Sequence, residues 1–169
     1  MKKILVFLLL LLPLNVFAYS ASSIIALDLD NGRVLYGYNI NEQKLIASTT
    51  KIMTALIALE KGNLEDEIIV SDIIYKAYGS ALYIEVGEKL TLKDLLYGLM
   101  LRSGIDAALV IAEYISGTQE EFVYLMNEYA NNLNMKNTIF YNPHGLEENN
   151  GNANKSTTLD MAKLTKYAM

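Results

Sequence analysis

The sequence predicts a mixed α/β (α+β) fold. Three observations carry that expectation. Alternating apolar residues flank Asp30-Asn31-Gly32, the apolar residues of a helix-length stretch over residues 48–61 nearly encircle it, and three Thr-x-x-acid signatures each open a later periodic run. In chain order, Ile25, Leu27 and Leu29 share one face of a strand over residues 24–29, and residues 33–38 form its partner. Asp30-Asn31-Gly32 is the tight turn that joins them into a hairpin. Residues 48–61 then read as a helix, with Gly62 at its C-cap. Apolar side chains nearly encircle that helix, so it belongs at the centre of the fold. Short strand-like pieces follow at residues 68–70 and 81–85. Thr91 with Asp94 opens a helix to about Arg102, and Ser103-Gly104 breaks it. A second helix runs from about Asp106 to Ile115, and Thr118 with Glu121 opens a third, to about Leu133. Asn142-Pro143-His144-Gly145 starts a loop that continues through Asn154, and Thr157 with Asp160 opens the fourth helix. Tyr97, Met100, Tyr124 and Met126 stand at helical spacing and are expected in the core.

Composition removes several classes of function. With 169 residues and a formal charge of −5, the chain carries no electrostatic footprint for nucleic acid. Its start, Met1-Lys2-Lys3 before an apolar run over residues 4–12 and then Val16-Phe17-Ala18, has the pattern of a secretory signal peptide. The expected division is a leader over residues 1–18 and a domain over 19–169, in an extracytoplasmic location. The apolar run is too short for a stable bilayer span, and no later segment reads as one. Association with a membrane surface stays open, with no anchor read in this chain. Cysteine is absent and His144 is the single histidine, so neither a metal site nor a cofactor is expected. A serine nucleophile would have to rely on lysine, a carboxylate or His144.

Ser48 and Lys51 meet that requirement, because a spacing of three sets both side chains on one helical face. A helix start also favours developing negative charge. Lys51 acts as a base only when neutral, which asks its pKa to fall by roughly three units, or about 4 kcal/mol. The apolar neighbours Ile52, Met53 and Leu56 make burial the means.

The wider string Ala47-Ser48-Thr49-Thr50-Lys51-Ile52-Met53-Thr54-Ala55 resembles the active-site segment of D-alanyl-D-alanine carboxypeptidases, the low-molecular-mass penicillin-binding proteins. Residues 26–36, Gly87-Glu88-Lys89-Leu90-Thr91, Leu101-Arg102-Ser103-Gly104 and Asn142-Pro143-His144-Gly145-Leu146 resemble the same family in the same order. The resemblance covers about residues 21–169. It implies a β-lactamase/transpeptidase-like fold, an antiparallel sheet with a helical subdomain. It implies a hydrolase that removes the terminal D-alanine from peptidoglycan stem peptides through an acyl-enzyme on Ser48, and that β-lactam antibiotics acylate. In that reading Lys51 is the general base and Ser103 the second-motif serine that relays protons. Gly104 and Ile105 stand where the family contacts substrate, and the Asn-Pro-His-Gly turn is structural.

Two departures stand out. The family's second motif reads Ser-x-Asn, whereas Ile105 occupies the asparagine position. An unpaired partner costs about 1–3 kcal/mol, or about one to two decades in rate. No Lys-Thr-Gly follows residue 91, so residues 19–169 are read as a partial catalytic domain without its C-terminal strands, expected to lack full activity. The alternatives are a related serine β-lactamase or endopeptidase, and a catalytically impaired module that binds penicillin or peptidoglycan. Asn154-Lys155-Ser156 also fits an N-glycosylation pattern, read as coincidence.

Overall fold

The structure, a computed structural model, describes residues 20–169; the expected leader over residues 1–18 lies outside them. Strands β1 (Ile24–Leu27) and β2 (Val34–Tyr38) form the N-terminal hairpin. The turn is wider than the sequence suggests, because β1 ends at Leu27 and Leu29 already belongs to the turn. The Asp28 carboxylate causes this. It accepts the Asp30 N–H at 3.0 Å and the Asn31 side-chain amide at 2.7 Å, while Gly32 turns through a φ of 75°. Two more antiparallel pairs follow: β3 (Lys44–Leu45) with β6 (Lys155–Ser156), and β4 (Glu67–Ile69) with β5 (Lys89–Thr91).

Helix α1 (Lys51–Lys61) stands at the centre, as its all-round apolar sequence requires. On one side Ala55 and Ala58 join Leu92, Leu95 and Leu99 of α2 (Leu92–Leu101) and Leu109 of α3 (Ile105–Ser116). On the other, Met53, Leu56 and Ile57 pack with Phe122 and Met126 of α4 (Gln119–Asn132) and Leu164 of α5 (Thr158–Ala168). Each fully buried large side chain contributes about 1.5–3 kcal/mol. Gly62 caps α1 without the left-handed conformation expected there: its φ is −99°. Close packing explains the glycine, since a Cβ would collide with the Leu92 side chain.

The helix starts use the threonines read from the sequence. Thr91 and Asp94 make a reciprocal capping box, while Thr118 and Thr157 each accept one N–H, from Glu121 and Asp160. Asp160 is diverted from its own helix start. It accepts the Asn137 N–H at 2.9 Å and pairs with Lys163 at 2.7 Å.

Two expectations fail. Of Tyr97, Met100, Tyr124 and Met126, only Met126 is buried; the others lie on outward faces of α2 and α4. Residues 81–85 are not a strand. Asp106, buried in the first turn of α3, accepts the N–H groups of Leu82 and Tyr83 at 2.9 Å and of Ile84 at 3.4 Å, so no ladder partner is needed. Tyr83 adopts a φ of 63° within this grip. Asp106→Ala is therefore expected to cost on the order of 3 kcal/mol, read as a lower urea midpoint, because three part-buried main-chain donors lose one charged acceptor. Tyr83→Gly should leave stability unchanged or raise it, by roughly 0.5–1 kcal/mol, since glycine accepts that backbone without strain. A midpoint unmoved by Asp106→Ala would count against this account of the loop.

Candidate active site

Ala47–Thr50 forms a single 3-10 turn ahead of α1, so Ser48 sits one turn before the α-helix proper rather than at its N-cap. Its side chain makes no cap hydrogen bond, and Ser48 is exposed. Lys51, the first residue of α1, is only 3 % exposed. Its Nζ lies 3.4 Å from Ser48 Oγ. Ser103 arrives from the break between α2 and α3, where its φ of 56° turns the chain, and its hydroxyl donates to Ser48 Oγ at 3.1 Å. Two serine oxygens and one amine, from segments 55 residues apart, thus meet at Ser48. Left-handed backbone occurs on both sides of the cluster, at Ala47 (φ 44°) and at Ser103. Such strain persists only where surrounding structure holds it.

The loop after α4 supplies the floor. Lys51 Nζ donates to the His144 carbonyl at 2.8 Å, and Thr54 Oγ1 donates to the Pro143 carbonyl at 2.6 Å. Asn142 shapes the turn by accepting the Gly145 N–H at 2.7 Å and donating to the Leu146 carbonyl at 2.8 Å. Gly145 has a φ of 94°, and a Cβ there would collide with the Ala47 carbonyl. Only glycine lets this turn slide directly beneath the Ser48 segment.

Burial sets the electrostatics. Desolvation lowers the Lys51 pKa to about 8, and among the described residues Lys51 joins no ion pair that would restore its charge. Burial first, and then the Lys51 charge, lowers His144 to about 4. The neutral imidazole accepts the Leu146 N–H on Nδ1 at 3.2 Å and meets the Tyr78 ring edge-on at 6.0 Å. His144 therefore serves Lys51 through its carbonyl, and its ring takes no part at Ser48. A neutral amine 3.4 Å from a serine hydroxyl can accept that proton.

The structure brings Ser48, Lys51 and Ser103 together. Gly104 and Ile105 lie just behind them, with N–H groups spent on the Gly98 carbonyl (3.2 Å) and the Ser80 carbonyl (2.9 Å). Ile105, at the position where the family contacts substrate, is 1 % exposed, and its side chain belongs to the apolar cluster around Leu95 and Leu109. Isoleucine has no polar atom to hold it out of that core. Sequence reasoning missed the His144 carbonyl and the asparagines behind it, because a main-chain acceptor leaves no side-chain signature. A groove of about 530 Å³, between β1, Ile52 and Met161, does not include Ser48.

Comparison with known proteins identifies the family and the fold. The family described as D-alanyl-D-alanine carboxypeptidase matches residues 13–169. The chain is 42 % identical over 154 residues to the D-alanyl-D-alanine carboxypeptidase DacF of Bacillus subtilis, covering 88 % of this chain and 39 % of that one. It is 35 % identical over 153 residues to DacC of Escherichia coli, covering 84 % of this chain and 38 % of that one. Among solved structures, a D-alanyl-D-alanine carboxypeptidase of Mycobacterium tuberculosis superposes with a TM-score of 0.83 at 33 % identity, over 88 % of this chain and 56 % of that one. Penicillin binding protein 6B of Escherichia coli superposes with a TM-score of 0.79 at 29 % identity, over 87 % and 49 %. The chain thus spans about two-fifths of the length of these curated relatives. With its serine and lysine brought together on such a fold, the chain belongs to the D-alanyl-D-alanine carboxypeptidase family.

Proposed function

We propose that this protein acts as a serine-type D-Ala-D-Ala carboxypeptidase on peptidoglycan stem peptides, outside the cytoplasmic membrane. Residues 1–18 are the export leader, and residues 19–169 belong to the catalytic domain. The observation that carries the reading is the exposed Ser48 Oγ with Lys51 Nζ at 3.4 Å and Ser103 Oγ at 3.1 Å. Ser48 Oγ attacks the carbonyl carbon between the last two D-alanines while its proton passes to neutral Lys51. The tetrahedral intermediate collapses, the C–N bond breaks, and the proton reaches the departing amine through Ser103. Water then hydrolyses the ester, releasing the shortened peptide and restoring Ser48. A β-lactam carbonyl reacts at the same oxygen, and ring opening keeps the leaving group attached. The left-handed turn at Ser103 supports the relay role, because it aims the hydroxyl back at Ser48.

A second reading, a module that binds penicillin or peptidoglycan with little turnover, is favoured by one observation. Ile105, in place of the asparagine of the family's second motif, offers no amide and withdraws into the core.

Fluorescent penicillin separates the two. Covalent label is expected on the wild type and absent from Ser48→Ala; a folded wild type that takes no label points to the binding module. Lys51→Ala should abolish labelling near neutral pH while the fold survives, and unchanged labelling would remove lysine from the base role. With a pKa of about 8, roughly one lysine in ten is neutral at pH 7, so the labelling rate should climb nearly tenfold per pH unit below pH 7, about fivefold from pH 7 to 8, and level off above. The linkage to stability has a definite sign. The folded-state pKa lies below the unfolded value of 10.5, so the folded chain holds fewer protons between the two. Stability therefore rises from about pH 8 to 10.5, by on the order of 3 kcal/mol, and that rise should vanish in Lys51→Met.

A further inference from the structure

The Asn154 side chain is 1 % exposed and uses both ends of its amide. Nδ2 donates to Thr50 Oγ1 at 3.0 Å and to the Asn142 carbonyl at 2.8 Å. Oδ1 accepts the N–H of Tyr141 at 2.7 Å and of Asn142 at 3.2 Å. Thr50 immediately precedes Lys51 and is itself fully buried. Asn142 organises the turn whose His144 carbonyl receives the Lys51 amine at 2.8 Å. One side chain therefore ties the backbone that carries the amine to the backbone that holds it. Its main chain is tied as well, since the Ile46 N–H donates to the Asn154 carbonyl at 3.3 Å. The same burial leaves no exposed amide nitrogen for glycan attachment, which fits the reading of the Asn154-Lys155-Ser156 pattern as coincidence.

We propose that Asn154 is a positioning residue for Lys51: its amide locks the Asn142-Pro143-His144-Gly145 turn against the start of α1 and so keeps the amine dry and within reach of Ser48. The proposal rests on the reading of Lys51 as the base. The groups facing the amine are few. The 3-10 turn ahead of α1 presents Ser48, the Asn-Pro-His-Gly turn presents the His144 carbonyl with its neutral ring beyond, and Ser103 at the α2–α3 break stands behind Ser48. Lys51 makes no ion pair with a carboxylate among the described residues. Loosening the turn admits water to the amine, and solvation favours the charged form.

The test uses two uncharged variants, Asn154→Ala and Thr50→Val, and reads the Lys51 amine directly by NMR titration of isotope-labelled lysine. Melting temperature is measured alongside. The amine should titrate higher in both variants, by about one unit in Asn154→Ala and less in Thr50→Val. Penicillin labelling at pH 7 should slow by roughly tenfold in Asn154→Ala, in the limiting acylation rate more than in the half-saturating concentration. Should Asn154→Ala fail to fold, Thr50→Val decides, because it keeps the shape of the side chain and every other bond of Asn154. An unchanged lysine titration in a folded variant would overturn the proposal. A wild type that takes no label would overturn the catalytic reading instead, while the titration still reports on Asn154.

Discussion

The hydrogen bond from the Lys51 amine to the His144 carbonyl, at 2.8 Å, is the interaction on which the site depends. It joins the central helix to a loop 93 residues away in sequence. It satisfies one hydrogen of a buried amine without supplying a negative charge. A carboxylate in the same place would hold the proton on the lysine and remove the base. A carbonyl orients the amine and leaves desolvation free to bring the pKa down to about 8. The polar floor beneath Ser48 follows from this choice of partner. Thr54, Asn142 and Asn154 are all buried, and each spends its polar atoms on holding the turn.

Fold and chemistry share one cause. The apolar residues that surround α1 place it between two clusters, one with α2 and α3 and one with α4 and α5. The same packing excludes water from Lys51. The electrostatics of the site are thus a by-product of centrality: the helix that most needs burial also carries the lysine whose pKa that burial lowers. The second serine is held from the other direction. Its carbonyl accepts the Ser80 hydroxyl at 2.9 Å, and the loop bearing Ser80 is gripped by the Asp106 carboxylate. Asp106 acts there as an acceptor for main-chain donors in a segment that has no strand partner.

Packing is uneven across the molecule. The helices bury their large side chains, whereas all five residues of β2 are exposed, Leu35, Tyr36 and Tyr38 among them. An isolated two-stranded ribbon is marginal in water. This one is held to the helical part at its ends, where Ser23 bonds Thr158 and the Leu159 N–H donates to the Ile40 carbonyl at 3.0 Å. The hairpin is thus tied to α5 as well as held by its own ladder.

Local rules by themselves determined a good deal. The three threonine caps, the hairpin with its Gly32 turn, the burial of α1 and the pairing of Ser48 with Lys51 were all legible, because each is settled within a few residues by periodicity or capping. Ser103 was legible through the Ser-Gly break and the family string around it. The tertiary structure alone decided the rest. Residues 81–85 carry strand-like composition, yet a distant carboxylate takes their N–H groups. Tyr97 and Tyr124 have helical spacing, yet face outward, because spacing marks a stripe without saying what lies opposite. Ile105 stands in a motif, yet its methyl groups sink into the core. The Asn142-Pro143-His144-Gly145 turn was legible as a structural segment, but not its place as the floor of the site, since its main-chain carbonyls are brought beneath α1 by the path of the loop. Hydrogen bonds to backbone are blind to residue identity at the acceptor, so only the path of the chain discloses them.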